Sequence, residues 1–223
     1  MTIDLDDVEK DYGDLVALHP LSAGIASGQA VALVGHNGSG KSTLLKMIAG
    51  LLEPSGGTIL IDDHPAGTSD ARALVSYIPD DPVLYDDLSV REHLDYVAAL
   101  HGAEASPEMI EELVGALGLA HRVDDLPARF SRGLRQKAGL AVGLVRPFNV
   151  LLVDEPFVGL DAPGKDALLA LLDEAHQAGA TLLVATHDPT FVERVDRCIA
   201  LRDGEVVHDG KATAADVLRL VGT

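Results

Sequence analysis

At 223 residues the chain can bury a full core, as one large domain or two small ones. A hydrophobic fraction of 47% is that of an ordinary globular protein, which sets disorder aside. With 35 acidic residues against 17 basic ones the formal net charge is -18, which argues against nucleic-acid binding by phosphate neutralisation and against adsorption onto an anionic membrane.

The chain begins Met1-Thr2-Ile3-Asp4, without the basic and apolar stretches of a secretory signal. No apolar run approaches the roughly 18 residues that span a bilayer. The expectation is a cytoplasmic protein that reaches a membrane only through another polypeptide. From Ile3 to Val31 short strands are expected, broken at Gly13-Asp14 and Ser27-Gly28. Ala30-Val31-Ala32-Leu33-Val34 reads as a buried strand, and Leu44 to Ala49 has helical spacing with Gly50 as its stop. Between them lies Gly35-His36-Asn37-Gly38-Ser39-Gly40-Lys41-Ser42-Thr43. A strand, a glycine-rich turn carrying Lys and Ser, then a helix is the context of a phosphate-binding P-loop. Its backbone N–H groups and helix N-terminus cradle phosphates. Lys41 is placed to reach the β- and γ-phosphates, and the Ser42 hydroxyl to ligate Mg²⁺. The sequence therefore predicts a nucleoside triphosphate as ligand.

Thr58 to Ile61 alternates as a strand closed by Asp62-Asp63, and Leu74 to Ile78 reads as another, stopped by Pro79. From Ser89 to about Leu119 the apolar residues fall at helical spacing, with Ser89 and Ser106-Pro107 as helix starts. Ser131 opens a further helix that ends before Pro147. Residues 83–147 thus read as a helical insertion in an α/β core made of 1–82 and 148–223, all one domain. Val150 to Val153 suits a central parallel strand. A helix over Gly164 to Ala178 and a strand over Thr181 to Thr186 follow. Asp203-Gly204 signals a hairpin between Ile199–Arg202 and Glu205–His208, and Asp216 to Leu220 a closing helix. The one cysteine, Cys198, lies in an apolar strand, where a buried, inert thiol is expected.

The strand ending in Asp154-Glu155 delivers two carboxylates to the edge where ligands of open α/β sheets bind. Asp154 is the candidate Mg²⁺ residue and Glu155 the general base that polarises the attacking water. His187, following Thr186, is either a satisfied residue or a contact to the γ-phosphate. Ser131-Arg132-Gly133 at a helix start offers a second anion site. An ordinary N-cap accounts for Ser131 but leaves Gly133 unexplained, since glycine in a first turn weakens a helix.

In their order, the glycine-rich loop at Gly35 to Ser42, Ser131-Arg132-Gly133, Asp154-Glu155, Gly159-Leu160-Asp161 and His187 resemble the nucleotide-binding subunit of an ABC transporter, over essentially the whole chain. The resemblance implies a P-loop NTPase core with a mainly parallel sheet, N-terminal antiparallel strands and a helical subdomain. It implies ATP and Mg²⁺ as cofactors, Tyr12 stacked on adenine, and His36 with Asn37 to Thr43 around the phosphates. Ser131 and Gly133 would complete the ATP site of a second copy or a related subunit. Asp161 matches the D-loop, and His187 the switch histidine. The implied partners are separate membrane-spanning subunits, which would hold this chain as a peripheral protein on the cytoplasmic face of the cell membrane.

Two departures stand out. The family pattern has glutamine where this chain has Asp80, the candidate third metal residue, and glycine and glutamine where it has Arg132 and Leu134. The acid at 80 and the ending Arg135-Gln136-Lys137 resemble the efflux-type branch. A soluble ATPase of this family acting in assembly or repair, and a nucleotide switch without hydrolysis, are the other readings. The residues Lys41, Asp154, Glu155 and His187 favour hydrolysis over the switch.

Overall fold

The structure, a computed structural model, describes residues 1–102 and 106–221. Residues 103–105, inside the expected helical insertion, and 222–223 lie outside the described residues. Two long strands, β1 (Ile3–Tyr12) and β2 (Leu15–Ile25), pair antiparallel around the Gly13-Asp14 turn. They form a four-stranded sheet with β4 (Gly56–Ile61) and β5 (His64–Pro65), in the order β2-β1-β4-β5. The second sheet combines β3 (Ala30–Val34), β6 (Val75–Ile78), β7 (Val150–Asp154), β8 (Thr181–Ala185), β9 (Arg197–Arg202) and β10 (Glu205–Gly210). Its order is β10-β9-β3-β8-β7-β6, parallel throughout except at the β9–β10 hairpin.

Strands buried on both faces should read as continuous apolar runs, and β3 and β7 do. Ala30, Ala32 and Val34 face one core cluster, while Val31 and Leu33 face the other. The first cluster packs α3 (Val90–Leu100), α4 (Pro107–Ala116), α5 (Arg132–Leu144) and α6 (Ala162–Gln177) against the parallel sheet. The second holds α1 (Lys41–Ile48) between the two sheets through Leu44, Leu45, Met47 and Ile48. A helix carrying the P-loop is thereby clamped from both sides.

Helix starts follow their capping residues. Ser89 and Glu92 make a reciprocal capping box on α3, Ser106 caps α4 ahead of Pro107, and Ser131 caps α5. The hairpin turns at Asp62-Asp63 and Asp203-Gly204 use left-handed backbone, with φ of 45°, 66°, 50° and 81°. Helix α6 begins at Ala162, two residues before the expected Gly164, because Pro163 suits a first turn. Short elements escaped the sequence reading. These are β5, α2 (Ser69–Leu74), α7 (Pro189–Val192) and two single 3₁₀ turns, Ala120–Arg122 and Pro127–Arg129. Helix α8 (Ala214–Val221) closes the described chain. No helix among the described residues is long and apolar enough to cross a membrane.

Candidate functional site

Parallel pairing puts the carboxyl ends of four strands at one edge. Leu33 of β3 and Asp154 of β7 both align with Ala185 of β8, and Ile78 of β6 aligns with Val153. The loops after β3, β6 and β7 line one cavity of about 330 Å³, whose walls include Asn37, Gly38, Gly40, Lys41, Ser42, Thr43, Asp80, Asp154 and Glu155, while the loop after β8 brings His187 to a neighbouring cavity that shares Glu155. Sequence positions spread over more than a hundred residues converge there.

Gly40 takes a left-handed φ of 104°, and a side chain on it would meet the Ala17 carbonyl at 2.7 Å. The loop can therefore wrap tightly at the start of α1 only with glycine there. The hairpin tip braces the loop from behind, since the Gly204 N–H donates to the Ser39 carbonyl at 3.2 Å. His36 Nε2 lies 3.3 Å from Asp203 Oδ1. Lys41, buried, donates to the Gly35 carbonyl at 2.7 Å and to the His36 carbonyl at 3.3 Å. Its ammonium also lies 3.4 Å from Glu155 Oε1.

Glu155 has a φ of 45°, unusual for a side chain of its size, and its N–H donates to the Ala185 carbonyl at 2.8 Å. Strained backbone of this kind persists where the surroundings over-determine it, and it accumulates at functional sites. Here the kink presents one carboxylate oxygen to Lys41 and the other to His187, whose Nδ1 is 3.0 Å from Oε2. His187 is thus engaged, and its partner is the candidate base.

Asp154 is 3% exposed and its Oδ1 has no hydrogen-bond partner. Burial pushes its carboxyl above the ordinary value. A Ser42 hydroxyl bond opposes that, Asp80 adds repulsion, and Lys41 and Lys46 pull it down. A buried, unpaired carboxylate oxygen beside a hydroxyl fits Mg²⁺, which takes oxygen ligands only. Among the described residues no group of three or more His, Cys, Asp or Glu could hold a metal alone.

The remaining candidates lie around this centre. Tyr12, half exposed at the end of β1, carries the Lys10 ammonium 5.3 Å from its ring centroid. Ser131 accepts from the Leu134 N–H at 3.4 Å as an ordinary cap. Gly133 has a local reason that the sequence did not reveal. A side chain on it would stand 2.7 Å from the Gly159 carbonyl, so α5 and the loop after β7 approach backbone to backbone. Lys137, four residues on, pairs with Asp161 at 3.0 Å, and Lys165 with Asp188 at 3.2 Å. Sequence reasoning missed Ala17, Lys165 and Asp203 at this site. Ala17 has no side-chain chemistry to notice, and Asp203 was legible only as a turn residue. Cys198 is buried as expected, with its thiol pushed up to about 11 by burial and then by Asp209 and Asp216.

Fold and cavity together define a P-loop nucleotide-binding ATPase with its ligand site at the carboxyl edge of a parallel sheet. The family model described as ABC transporter matches residues 18–158. The chain is 34% identical to the SkfA peptide export ATP-binding protein SkfE of Bacillus subtilis (strain 168), over 92% of this chain and 87% of that one. It is also 34% identical to the sulfate/thiosulfate import ATP-binding protein CysA of Synechocystis, over 95% of this chain and 61% of that one. A dimeric ATP-binding cassette in a post-hydrolysis state, bound to ADP and Pi, superposes with a TM-score of 0.83 at 26% identity, over 94% of this chain and 98% of that one. This chain belongs to the ABC transporter family.

Proposed function

We infer that this chain is the ATP-binding and ATP-hydrolysing subunit of an ABC transporter and powers export through separate membrane-spanning subunits. The observation that carries the hydrolytic reading is the Glu155 carboxylate, held between Lys41 and His187 at the mouth of the P-loop cavity. Export is supported by the likeness to SkfE and by the efflux-type residues Asp80 and Arg135-Gln136-Lys137.

In this reading the P-loop amides from Asn37 to Thr43 and the Lys41 ammonium bind the β- and γ-phosphates, and Tyr12 supports the adenine. Lys41 then exchanges its contacts to carbonyls for contacts to phosphate oxygens. Ser42, Asp154 and Asp80 would hold Mg²⁺, which when bound neutralises charge on the phosphate oxygens. Glu155 orients a water in line with the γ-phosphate and takes its proton as the bond to the β-phosphate oxygen breaks. His187 holds the far oxygen of Glu155, so that the carboxylate faces the water. Ser131 and Gly133, at the N-terminus of α5, meet the γ-phosphate bound to a second copy, and Asp161 lies between the two sites. ATP bridging two chains of charge -18 makes closure depend on nucleotide. Hydrolysis removes the bridge, and the opening moves the membrane subunits.

Sedimentation of the Glu155→Gln variant with ATP and Mg²⁺ tests this. A dimer that forms with ATP and dissolves with ADP is expected. A monomer under both conditions would overturn the two-site reading.

A further inference from the structure

The two departures from the family pattern touch each other. Arg132 Nη2, on the first residue of α5, lies 3.4 Å from Asp80 Oδ1, on the loop after β6, across a separation of 52 residues. The pair does not stand alone. Arg135, one turn on, donates to the Pro82 carbonyl at 3.5 Å, and Pro82 packs directly on Gly139, where no side chain could fit. Residues 80–82 are therefore strapped along two turns of α5, and much of the entropic cost of holding Asp80 against Arg132 is met by neighbouring contacts.

Asp80 faces the other way as well, since it lines the phosphate cavity and bears on the Asp154 carboxyl. The cavity wall carries three carboxylates, Asp80, Asp154 and Glu155, against one ammonium, Lys41. A triphosphate entering without a cation meets that excess of negative charge. Arg132 is the cation that pairs with the outermost of the three.

We propose that Arg132 is the counter-charge of Asp80, and that this pair sets how strongly triphosphate binding depends on a divalent cation. The proposal rests on the ATP-binding reading above. Arg132 acts through Asp80 and is a positioning residue. With Asp80 held by Arg132, the pocket tolerates ATP before the metal arrives. Without Arg132, Asp80 repels free ATP and turns fully toward the metal.

The test measures ATP binding by calorimetry, once in EDTA and once in excess Mg²⁺, at a concentration where sedimentation shows a monomer. Arg132→Gln should weaken binding in EDTA by about 2- to 5-fold, the range of an exposed ion pair. In Mg²⁺ the loss should shrink or reverse. Asp80→Asn should tighten binding in EDTA, and on that background Arg132→Gln should have no further effect. Equal losses in EDTA and Mg²⁺ would mean a merely structural role and overturn the proposal. A loss that persists in the Asp80→Asn background would mean that Arg132 meets phosphate directly, and would overturn it too. Wild-type protein that bound no ATP even with Mg²⁺ would instead remove the functional reading beneath it.

Discussion

Glu155 is held by one oxygen to Lys41 and by the other to His187, and replacing it with glutamine keeps the volume while removing the base. Turnover should fall by roughly 10²–10⁴ in Glu155→Gln, read as steady-state phosphate release, with Mg²⁺·ATP still bound. Wild-type turnover in that variant would take Glu155 out of the mechanism. That these residues belong together was legible from side-chain type and spacing, Gly35 to Thr43 after an apolar strand and two acids ending another, and residues of both stretches line one cavity. What stayed hidden is conformational or long-range. The left-handed φ of Glu155 has no sequence marker, since glutamate is not a residue that favours it. The Arg132–Asp80 contact joins two residues that each looked like an isolated departure, and only the strapping of the loop onto α5 brings them together.

Gly133→Ala tests the packing of one element on another. The added methyl would stand 2.7 Å from the Gly159 carbonyl, so either α5 or the Gly159–Asp161 loop must shift. ATPase turnover should fall while ATP binding to the chain's own P-loop is retained; unchanged turnover would show that the loop yields freely. The β9–β10 hairpin supplies a second test. Arg197 clamps Asp209 with two bonds of 2.6 and 2.8 Å and also donates to the Gly24 carbonyl at 2.6 Å, tying the hairpin to β2. The Arg197 guanidinium holds the Asp209 carboxyl below its usual value. A depressed acid stabilises the fold above its unfolded value and loses that contribution as pH falls through the folded one. Asp209→Asn should therefore cost about 1–2 kcal/mol near neutral pH, on the scale of a charge-assisted hydrogen bond discounted for exposure. The gap in melting temperature from wild type should narrow as acid protonates the wild-type carboxylate. A gap that widened in acid would contradict this assignment. Elements marked by a sustained apolar run or a cap were readable in advance, as in the apolar run of β3 and the caps of α3, α4 and α5. The two-residue β5 and six-residue α2 are too short to show a period, and their neighbours' packing decides them.

Over the whole molecule the surplus of 18 negative charges governs association. Two like-charged copies that close around ATP repel each other over a distance set by salt. The Debye length shrinks from about 10 Å to about 3 Å between about 0.1 and 1 M salt. The ATP-dependent dimer of Glu155→Gln should therefore tighten over that range, as read by sedimentation. Weakening with salt would show that paired opposite charges across the interface outweigh the net repulsion. No helix among the described residues is long and apolar enough to cross a membrane. Purification of the tagged chain from detergent-solubilised native membranes, with mass spectrometry of what comes with it, bears on the transporter assignment itself. A polytopic membrane protein should be recovered, its sequence that of an exporter's membrane subunit. An importer's membrane subunit would keep the ATPase and reverse the direction. Recovery of soluble partners alone, while the same detergent holds a known transporter together, would contradict the transporter assignment.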